Sequence, residues 1–276
     1  MKLIDIKRRI TQGLSGVTPD SPGEALRIVS EIYSIDPRDI PLKLFDDFEE
    51  RPEFEEIIKR RRSGEPLEYI FGKAVFCGLD FIVSRDCLIP QADTEVVVEA
   101  ARAHLNKDSK FADLCTGSGC IAVSIAKFSG ASGIAVDIST KALEIAAKNA
   151  ESNGVSSKIN FINANILKSE DYFDKQYDVI VSNPPYIKTE VIDTLSKEVK
   201  HEPRIALDGG IDGLDFYKRL IEIAPRHLKP SGHLILEIGY DEAEDVSKIL
   251  FDNNFTFKVI KDFGGNNRCI DAVIKN

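Results

Sequence analysis

The 276-residue sequence lacks several features, and each absence closes off a class of protein. No stretch approaches the ~18 consecutive apolar residues that a membrane-spanning helix needs. The opening Met1-Lys2-Leu3-Ile4-Asp5 holds neither the apolar core nor the small-residue cleavage site of a secretory signal, so the expected compartment is the cytoplasm. The five cysteines, Cys77, Cys87, Cys115, Cys120 and Cys269, are odd in number and form no C-x-x-C pair, which argues against a disulfide framework and against a zinc site. No internal repeat or low-complexity segment is present. Positive charge is also short: 36 Lys and Arg against 45 Asp and Glu leave a net charge of −9. A reader of duplex DNA normally carries a positive field to meet the phosphates, so a protein or small-molecule substrate is expected instead.

What remains is ordinary for a globular protein, with 43% apolar and 29% charged residues. At roughly 150 residues per domain the length suits two domains. Residues 1–72 read as several short helices. Ser21-Pro22-Gly23-Glu24 has the form of a capping box, with serine as cap, proline at the first helical position and glutamate three residues after the cap. Leu26, Val29, Ile32 and Tyr33 follow at helical spacing, and Arg51-Pro52-Glu53 opens a further helix that Ser63-Gly64 ends.

The pattern changes near residue 73. Val75, Phe76, Leu79, Phe81 and Val83 around Cys77-Gly78 predict a β-hairpin linker over 73–90. Over 91–276, helices and strands alternate. Strands are expected at Lys110–Leu114, Ser132–Val136, Ile159–Ile162, Tyr177–Ser182 and His233–Ile238, and helices at Ile121–Phe128, Thr140–Ser152 and Phe216–His227. Such alternation implies a mainly parallel sheet with helices on both faces. Thr256–Ile260 and Cys269–Ile274 have no helix between them and should pair as an antiparallel hairpin at the edge.

Asp113-Leu114-Cys115-Thr116-Gly117-Ser118-Gly119-Cys120 follows a strand and opens a helix. Its glycines let the backbone turn tightly and approach a ligand, and open α/β sheets bind ligands at such strand ends. Asp137 ends the next strand, where a carboxylate can accept from both ribose hydroxyls of an adenosine cofactor. Gly117-x-Gly119-x-x-Ala122 also fits a loose dinucleotide fingerprint, so the loop does not choose between NAD and S-adenosylmethionine.

Asn183-Pro184-Pro185-Tyr186, running directly out of the strand Tyr177–Ser182, makes that choice. Two prolines fix the backbone and remove two N–H donors, which leaves carbonyl oxygens unpaired at the strand end. An amide or aromatic amine nitrogen has its lone pair delocalised, and methyl transfer needs that pair aimed at the sulfonium carbon. The Asn183 side-chain oxygen and the Pro184 carbonyl can each accept one N–H of an NH₂ group and hold it in that orientation. Tyr186 offers a flat face for a planar group. None of the four histidines supplies an alternative centre, and His104 and His227 read as helix-surface residues.

With these residues the chain resembles the HemK/PrmC family of release-factor N5-glutamine methyltransferases. The resemblance runs through Gly64-Glu65-Pro66, Tyr69-Ile70-x-Gly72, Phe76-x-Gly78-Leu79-x-Phe81-x-Val83, Leu88-Ile89-Pro90, Asp93-Thr94-Glu95, the glycine loop, Ala135-Val136-Asp137 and Asn183-Pro184-Pro185-Tyr186-Ile187. It continues in Glu202-Pro203-x-x-Ala206-Leu207-Asp208-Gly209-Gly210-x-Asp212-Gly213-Leu214 and Glu237-Ile238-Gly239. It implies a small helical-bundle domain that recognises the release factor, then a seven-stranded, Rossmann-like, class I methyltransferase domain. The implied reaction moves a methyl group from S-adenosyl-L-methionine, leaving S-adenosyl-L-homocysteine, to the glutamine of the Gly-Gly-Gln loop in class 1 peptide chain release factors, in support of translation termination. The cofactor site maps to Cys115, Thr116, Gly117, Ser118, Gly119, Asp137, Asn165, Ile166 and Asn183, and the substrate site to Asn183, Pro184, Pro185 and Tyr186, with Asn183, Pro184 and Tyr186 as catalytic residues. No metal ligand, membrane contact or direct nucleic-acid substrate is implied, and the chain is expected to be a monomer.

The chain departs from the family at three places. Gln91-Ala92 stands where Arg-Pro is usual, Cys115 where glycine is common, and Asn165-Ile166 where an acidic residue precedes an aromatic one. Asn165 can still accept from an adenine amino group, whereas Ile166 can only pack. The run Lys59-Arg60-Arg61-Arg62 is read as a solvated helix end, with a partner contact as the alternative. Asp208, Asp212 and Asp215 read as loop caps. Two other functions stay open at this stage, an adenine-N6 or other nucleic-acid amino-methyltransferase and a binding module without turnover.

Overall fold

Three apolar clusters, one in the first of two units and two in the second, hold the buried residues in a computed structural model that describes residues 1–275. The first unit comprises Met1–Gly72 with Ser196–His201, and the second Lys73–Leu195 with Glu202 onward.

The first unit is built from α1 (Leu3–Gly13), α2 (Ser21–Tyr33), α3 (Ile40–Lys43), α4 (Glu53–Arg62) and α5 (Leu67–Phe71). Leu3, Ile6 and Ile10 recur at helical spacing along one side of α1 and meet Ala25, Ile28 and Val29 of α2 and Phe54, Ile57 and Ile58 of α4. Burying each of the leucine, isoleucine, valine and phenylalanine side chains contributes about 1.5–3 kcal/mol. The cap of α2 is Asp20, whose carboxylate accepts from the Gly23 N–H at 2.9 Å. Ser21 is not the cap: it already lies inside the helix, and its hydroxyl donates to the Leu14 carbonyl at 2.9 Å. Glu24 is equally diverted, because it receives both arms of the Arg61 guanidinium at 2.8 and 2.9 Å.

The basic run at the end of α4 is therefore a solvated end only in part: Lys59 and Arg62 are exposed, while Arg60 and Arg61 are drawn into ion pairs. Arg61 is 5% exposed and also bonds Glu198, Arg60 makes a two-pronged pair with buried Glu65 at 2.8 Å, and Arg62 donates to the Gly13 carbonyl at 2.8 Å. Three of the four cations act as internal cross-links, and Glu198 brings the segment Ser196–His201 into this unit.

The second unit opens with β1 (Lys73–Phe76) and β2 (Leu79–Ile82). Cys77 and Gly78 have φ of 50° and 71°, the paired left-handed conformation of a tight hairpin turn. The alternation buries Phe76 and Phe81 and leaves Val75 and Ile82 outside. The hairpin is integral to this unit's core, where both phenylalanines join the apolar cluster of the next two helices.

There follow α6 (Glu95–Arg102), β3 (Lys110–Leu114), α7 (Cys120–Ser129), β4 (Ser132–Asp137), α8 (Thr140–Ser152), β5 (Ile159–Asn163) and β6 (Tyr177–Ser182). The chain ends with α9 (Asp215–His227), β7 (Leu228–Glu237), α10 (Ala243–Asp252), β8 (Phe255–Lys261) and β9 (Asn267–Ile274). Seven strands form one sheet in the order β5-β4-β3-β6-β7-β9-β8, and this is the Rossmann-like sheet expected from the alternation. The first five are parallel, and β9 runs antiparallel between β7 and β8. One apolar cluster holds α9 and α10 against the sheet, and another holds α6 and α7.

β7 starts five residues earlier than the expected His233. Pro230-Ser231-Gly232 forms an irregularity inside the strand, with Ser231 at φ 63° and a register shift between Tyr177 and Val179 of β6. The strand order reverses between β3 and β6, so the chain leaves these two neighbours in opposite directions and opens a crevice beyond their carboxyl ends.

Candidate functional site

The crevice is bounded on one side by the loop from β3 to α7, and that loop is shaped by two carboxylates. Asp113, fully buried in β3, accepts from the Thr116 hydroxyl at 2.6 Å and from the Ala122 N–H at 3.1 Å, clamping strand end to helix start. Burial pushes its carboxyl up to about 7 against those two bonds. Asp137, at the end of β4, accepts from the Gly117 N–H at 2.8 Å and from the Ser139 N–H at 2.9 Å. Burial raises its pKa too, with the backbone N–H bonds opposing. The loop itself is tight. Cys115 and Gly119 have φ of 63° and 79°, and a Cβ on Gly119 would meet the Cβ of Ala146 at 2.9 Å.

A buried asparagine ties this loop to the hairpin. Asn149 of α8 donates to the carbonyls of Ser118 at 2.9 Å and Ile82 at 3.0 Å, and accepts from the Ile82 N–H at 2.7 Å. The sequence reading missed it. The available signal was a lone polar residue on the apolar stripe Ala142, Ile145, Ala146, Ala150.

The other side is the tetrapeptide at the end of β6. The parallel register pairs Ser182 with Leu114 and with Leu236, so Asn183 emerges at the level of Cys115 and Glu237. Its amide nitrogen donates to the Thr94 hydroxyl at 3.3 Å. Among the described residues, no donor reaches the Asn183 side-chain oxygen or the Pro184 carbonyl. Pro184 and Pro185 are buried, and Tyr186 packs half-buried against the α9 cluster. Burial pushes the Tyr186 hydroxyl far above its usual range, so it stays protonated. The segment beyond is fastened by the Ile187 and Gly209 N–H groups, which bond the Leu207 and Ile187 carbonyls at 2.9 and 2.8 Å. Asp208 accepts from Thr189 and Gly210, and Asp212 from Leu214, which are loop-capping contacts.

A cavity of about 280 Å³ lies between the two sides, near the lower end of the ~300–1,000 Å³ usual for small-molecule sites. It brings together Cys115, Gly117, Asp137, Asn165, Ile166, Asn183 and Pro185 of the expected residues. Thr116 and Ser118 line a smaller hollow of about 30 Å³ beside Gln91, Thr94 and Asn183. Gly119, Pro184 and Tyr186 line neither. Leu88, Ile138, Ala142, Leu167 and Phe216 complete an apolar wall that the expected cofactor and substrate sites did not include. Ile166 is 3% exposed and supplies packing, while the Asn165 side-chain oxygen accepts from the Leu167 N–H at 3.0 Å and so fixes its own turn. Cys115 is no nucleophile: burial, with Asp137 and Asp113 nearby, pushes its thiol far up.

The histidines lie elsewhere, and two differ from expectation. His104 is no free surface residue: its ring stacks on His233 at 3.4 Å, and both bond Asp271, which also pairs with Lys258. Each imidazole spends one ring nitrogen on a different oxygen of Asp271, so the trio is a hydrogen-bonded cluster around a buried carboxylate. His227 stacks on Phe173 at 3.9 Å and bonds Glu170. Each expected surface imidazole is packed because two residues distant in sequence supply an aromatic face and a carboxylate.

Comparison with known proteins adds three findings. The family described as "Methyltransferase small domain" matches residues 91–210. A release factor glutamine methyltransferase of Fusobacterium nucleatum subsp. nucleatum is 42% identical over 79% of this chain, and the match spans 62% of that protein's own length. One of Cereibacter sphaeroides is 36% identical over 99% of this chain and 98% of its own. Among solved structures, the catalytic domain of hMettl16 in complex with the MAT2A 3′UTR hairpin 6 superimposes with a TM-score of 0.57 at 17% identity, over 79% of this chain and 81% of that one, and shows the shared fold. No helix among the described residues is long and apolar enough to cross a membrane.

Proposed function

The chain belongs to the release factor glutamine methyltransferase family, and from that membership we propose that it transfers a methyl group from S-adenosyl-L-methionine to the side-chain amide nitrogen of the Gly-Gly-Gln loop glutamine in class 1 peptide chain release factors. The observation that carries the reading is the pair of unused acceptors, the Asn183 side-chain oxygen and the Pro184 carbonyl, at a strand end beside a cavity with Asp137 across it.

The donor set suits this cofactor. Asp137 holds the loop through Gly117 and Ser139 while lining the cavity, and as a carboxylate it has lone pairs left for ribose hydroxyls. Asn165 offers a polar edge and Ile166, Leu167 and Phe216 an apolar slot for a purine ring. When bound, S-adenosylmethionine supplies a methyl group on a positive sulfur; the N–C bond forms as the S–C bond breaks, and its electron pair stays on sulfur as the neutral thioether.

The chain's own task is orientation. An amide nitrogen is a poor nucleophile, and its two N–H groups must be held so that the lone pair faces the methyl carbon. Asn183 and Pro184 accept one N–H each, and both bonds strengthen as positive charge grows on nitrogen. Tyr186, protonated and packed in place beside Pro185, is the flat face assigned in this reading to the planar amide. No side chain is assigned to take the departing proton, which passes to water.

The test uses radiolabelled S-adenosylmethionine with a class 1 release factor, the same factor with its loop glutamine replaced, and duplex DNA. Label on the unaltered factor alone is expected. Label on DNA alone would overturn the reading in favour of an adenine-N6 enzyme, and label nowhere in favour of a binding module.

A further inference from the structure

Asn183 can serve as an acceptor only if its carboxamide keeps one of two orientations that are nearly identical in shape. Rotation by 180° exchanges oxygen for NH₂, so the neighbours on the far side decide which atom faces the cavity. Those neighbours come from two distant segments, and neither serves its own element.

Thr94 is the first. It stands at the N-cap position of α6, where a threonine hydroxyl ordinarily accepts from a helix N–H, yet it makes no such bond. The side chain is 2% exposed, and its oxygen accepts from the Asn183 amide nitrogen at 3.3 Å. Glu237 is the second. It ends β7 one position beyond Leu236, the partner of Ser182, so register alone sets it beside Asn183. Alternation turns it away from the α9 face where Leu236 packs. It is 3% exposed, the side chains of Thr94 and Asn183 lie near enough to favour its charged form, and one of its oxygens, Oε2, has no hydrogen-bond partner among the described residues. A buried carboxylate with an unpaired oxygen is costly, and such a group is seldom kept for stability alone.

We infer that Thr94 and Glu237 are positioning residues that lock the Asn183 carboxamide with its oxygen toward the substrate. The Asn183 NH₂ gives one hydrogen to Thr94 and one to Glu237, while the Thr94 hydroxyl donates to Glu237. The flipped amide would set its oxygen against two acceptors and lose both bonds. The neighbouring charges keep the carboxylate in place: Arg268 of β9 lies close enough to favour its charged form, and Asp93, paired with Arg268 at 3.1 Å, opposes it. Burial dominates and pushes the Glu237 carboxyl up to about 7. The three residues of the Asp93-Thr94-Glu95 segment thus divide the work, since Glu95 accepts from the Cys77 N–H of the hairpin at 2.7 Å.

This inference rests on the glutamine-methylation reading, and the experiment separates the two. Glu237→Gln, Thr94→Val and Thr94→Ser are compared with wild type for methylation of a release factor, with cofactor affinity measured by calorimetry. Absence of wild-type label on the factor refutes the proposed function itself. With wild type active, Glu237→Gln and Thr94→Val are expected to lower kcat by about tenfold to a hundredfold, as misplaced contacts do, with cofactor Kd within about twofold and Thr94→Ser near wild type. Wild-type kcat should also fall on the acid side as Glu237 takes up its proton, and that limb should vanish in Glu237→Gln. Unchanged kcat in both variants, a parallel loss of cofactor affinity, or an acid limb that survives in Glu237→Gln would overturn the inference.

Discussion

The two sides of the crevice are built from different materials. On the β3–β4 side the supports are backbone: the Asp137 carboxylate is fixed by the N–H groups of Gly117 and Ser139, and the loop's shape follows from the φ values of Cys115, Gly117 and Gly119. On the β6–β7 side the Asn183 carboxamide is held by a side chain, the Thr94 hydroxyl, with buried Glu237 level with it across the strands. A backbone-built surface tolerates exchange of side chains that do not disturb the turn. A surface built from side chains does not, because each partner is a specific donor or acceptor. Two of the chain's three departures from the family pattern, Cys115 and Ile166, fall on the cavity wall of the tolerant side.

The largest contrast is expected from Asn183→Ala. It should cut methylation kcat by about a hundredfold to a thousandfold, the usual cost of a removed transition-state hydrogen bond, while calorimetry finds cofactor affinity nearly intact. Equal losses of both would show that Asn183 acts through folding. Asp137→Ala should do the reverse, weakening cofactor binding by about tenfold to a hundredfold, as expected for hydrogen bonds to a charged acceptor. Unchanged affinity would remove the ribose role.

A third prediction concerns stability against pH. The native Asp113 carboxyl titrates near 7, above its ordinary value, so the folded protein holds that proton more tightly than the unfolded chain. Stability contributed in this way is present at low pH and is lost as pH rises from about 4 through about 7. Glu237 and Glu242, raised by burial to about 7 and about 6, add to the same slope. The melting temperature of Asp113→Asn should therefore decline less between pH 5 and pH 8 than that of wild type, and an equal decline would exclude Asp113 as a source. The smallest effect belongs to Cys115→Gly. Because that position works through its backbone, turnover and cofactor Kd should stay within about twofold, and a larger loss would mean that the thiol makes a contact of its own.

Legibility in the sequence follows the same divide. The strands β3 and β6 and the helix α8 agree with their periodicity to the residue, since a buried parallel strand needs a continuous apolar run and α8 a regular stripe. Errors arose where a distant residue outcompeted a local rule. Glu24 was taken by Arg61 and His104 by Asp271, whereas Ser21 lost the cap to its own neighbour Asp20. The basic run at the end of α4 misled for the same reason, because Glu24, Glu65 and Glu198 are far enough away in sequence that no window holds them all.

The sequence by itself determined the order of elements, the glycine loop and the tetrapeptide, because each depends on local backbone preferences that a short window contains. Tertiary structure alone decided what holds the tetrapeptide's asparagine. Strand register set Glu237 level with Asn183, and the turn before α6 delivered Thr94 between them, a meeting of three segments that depends on sheet order and not on any local pattern.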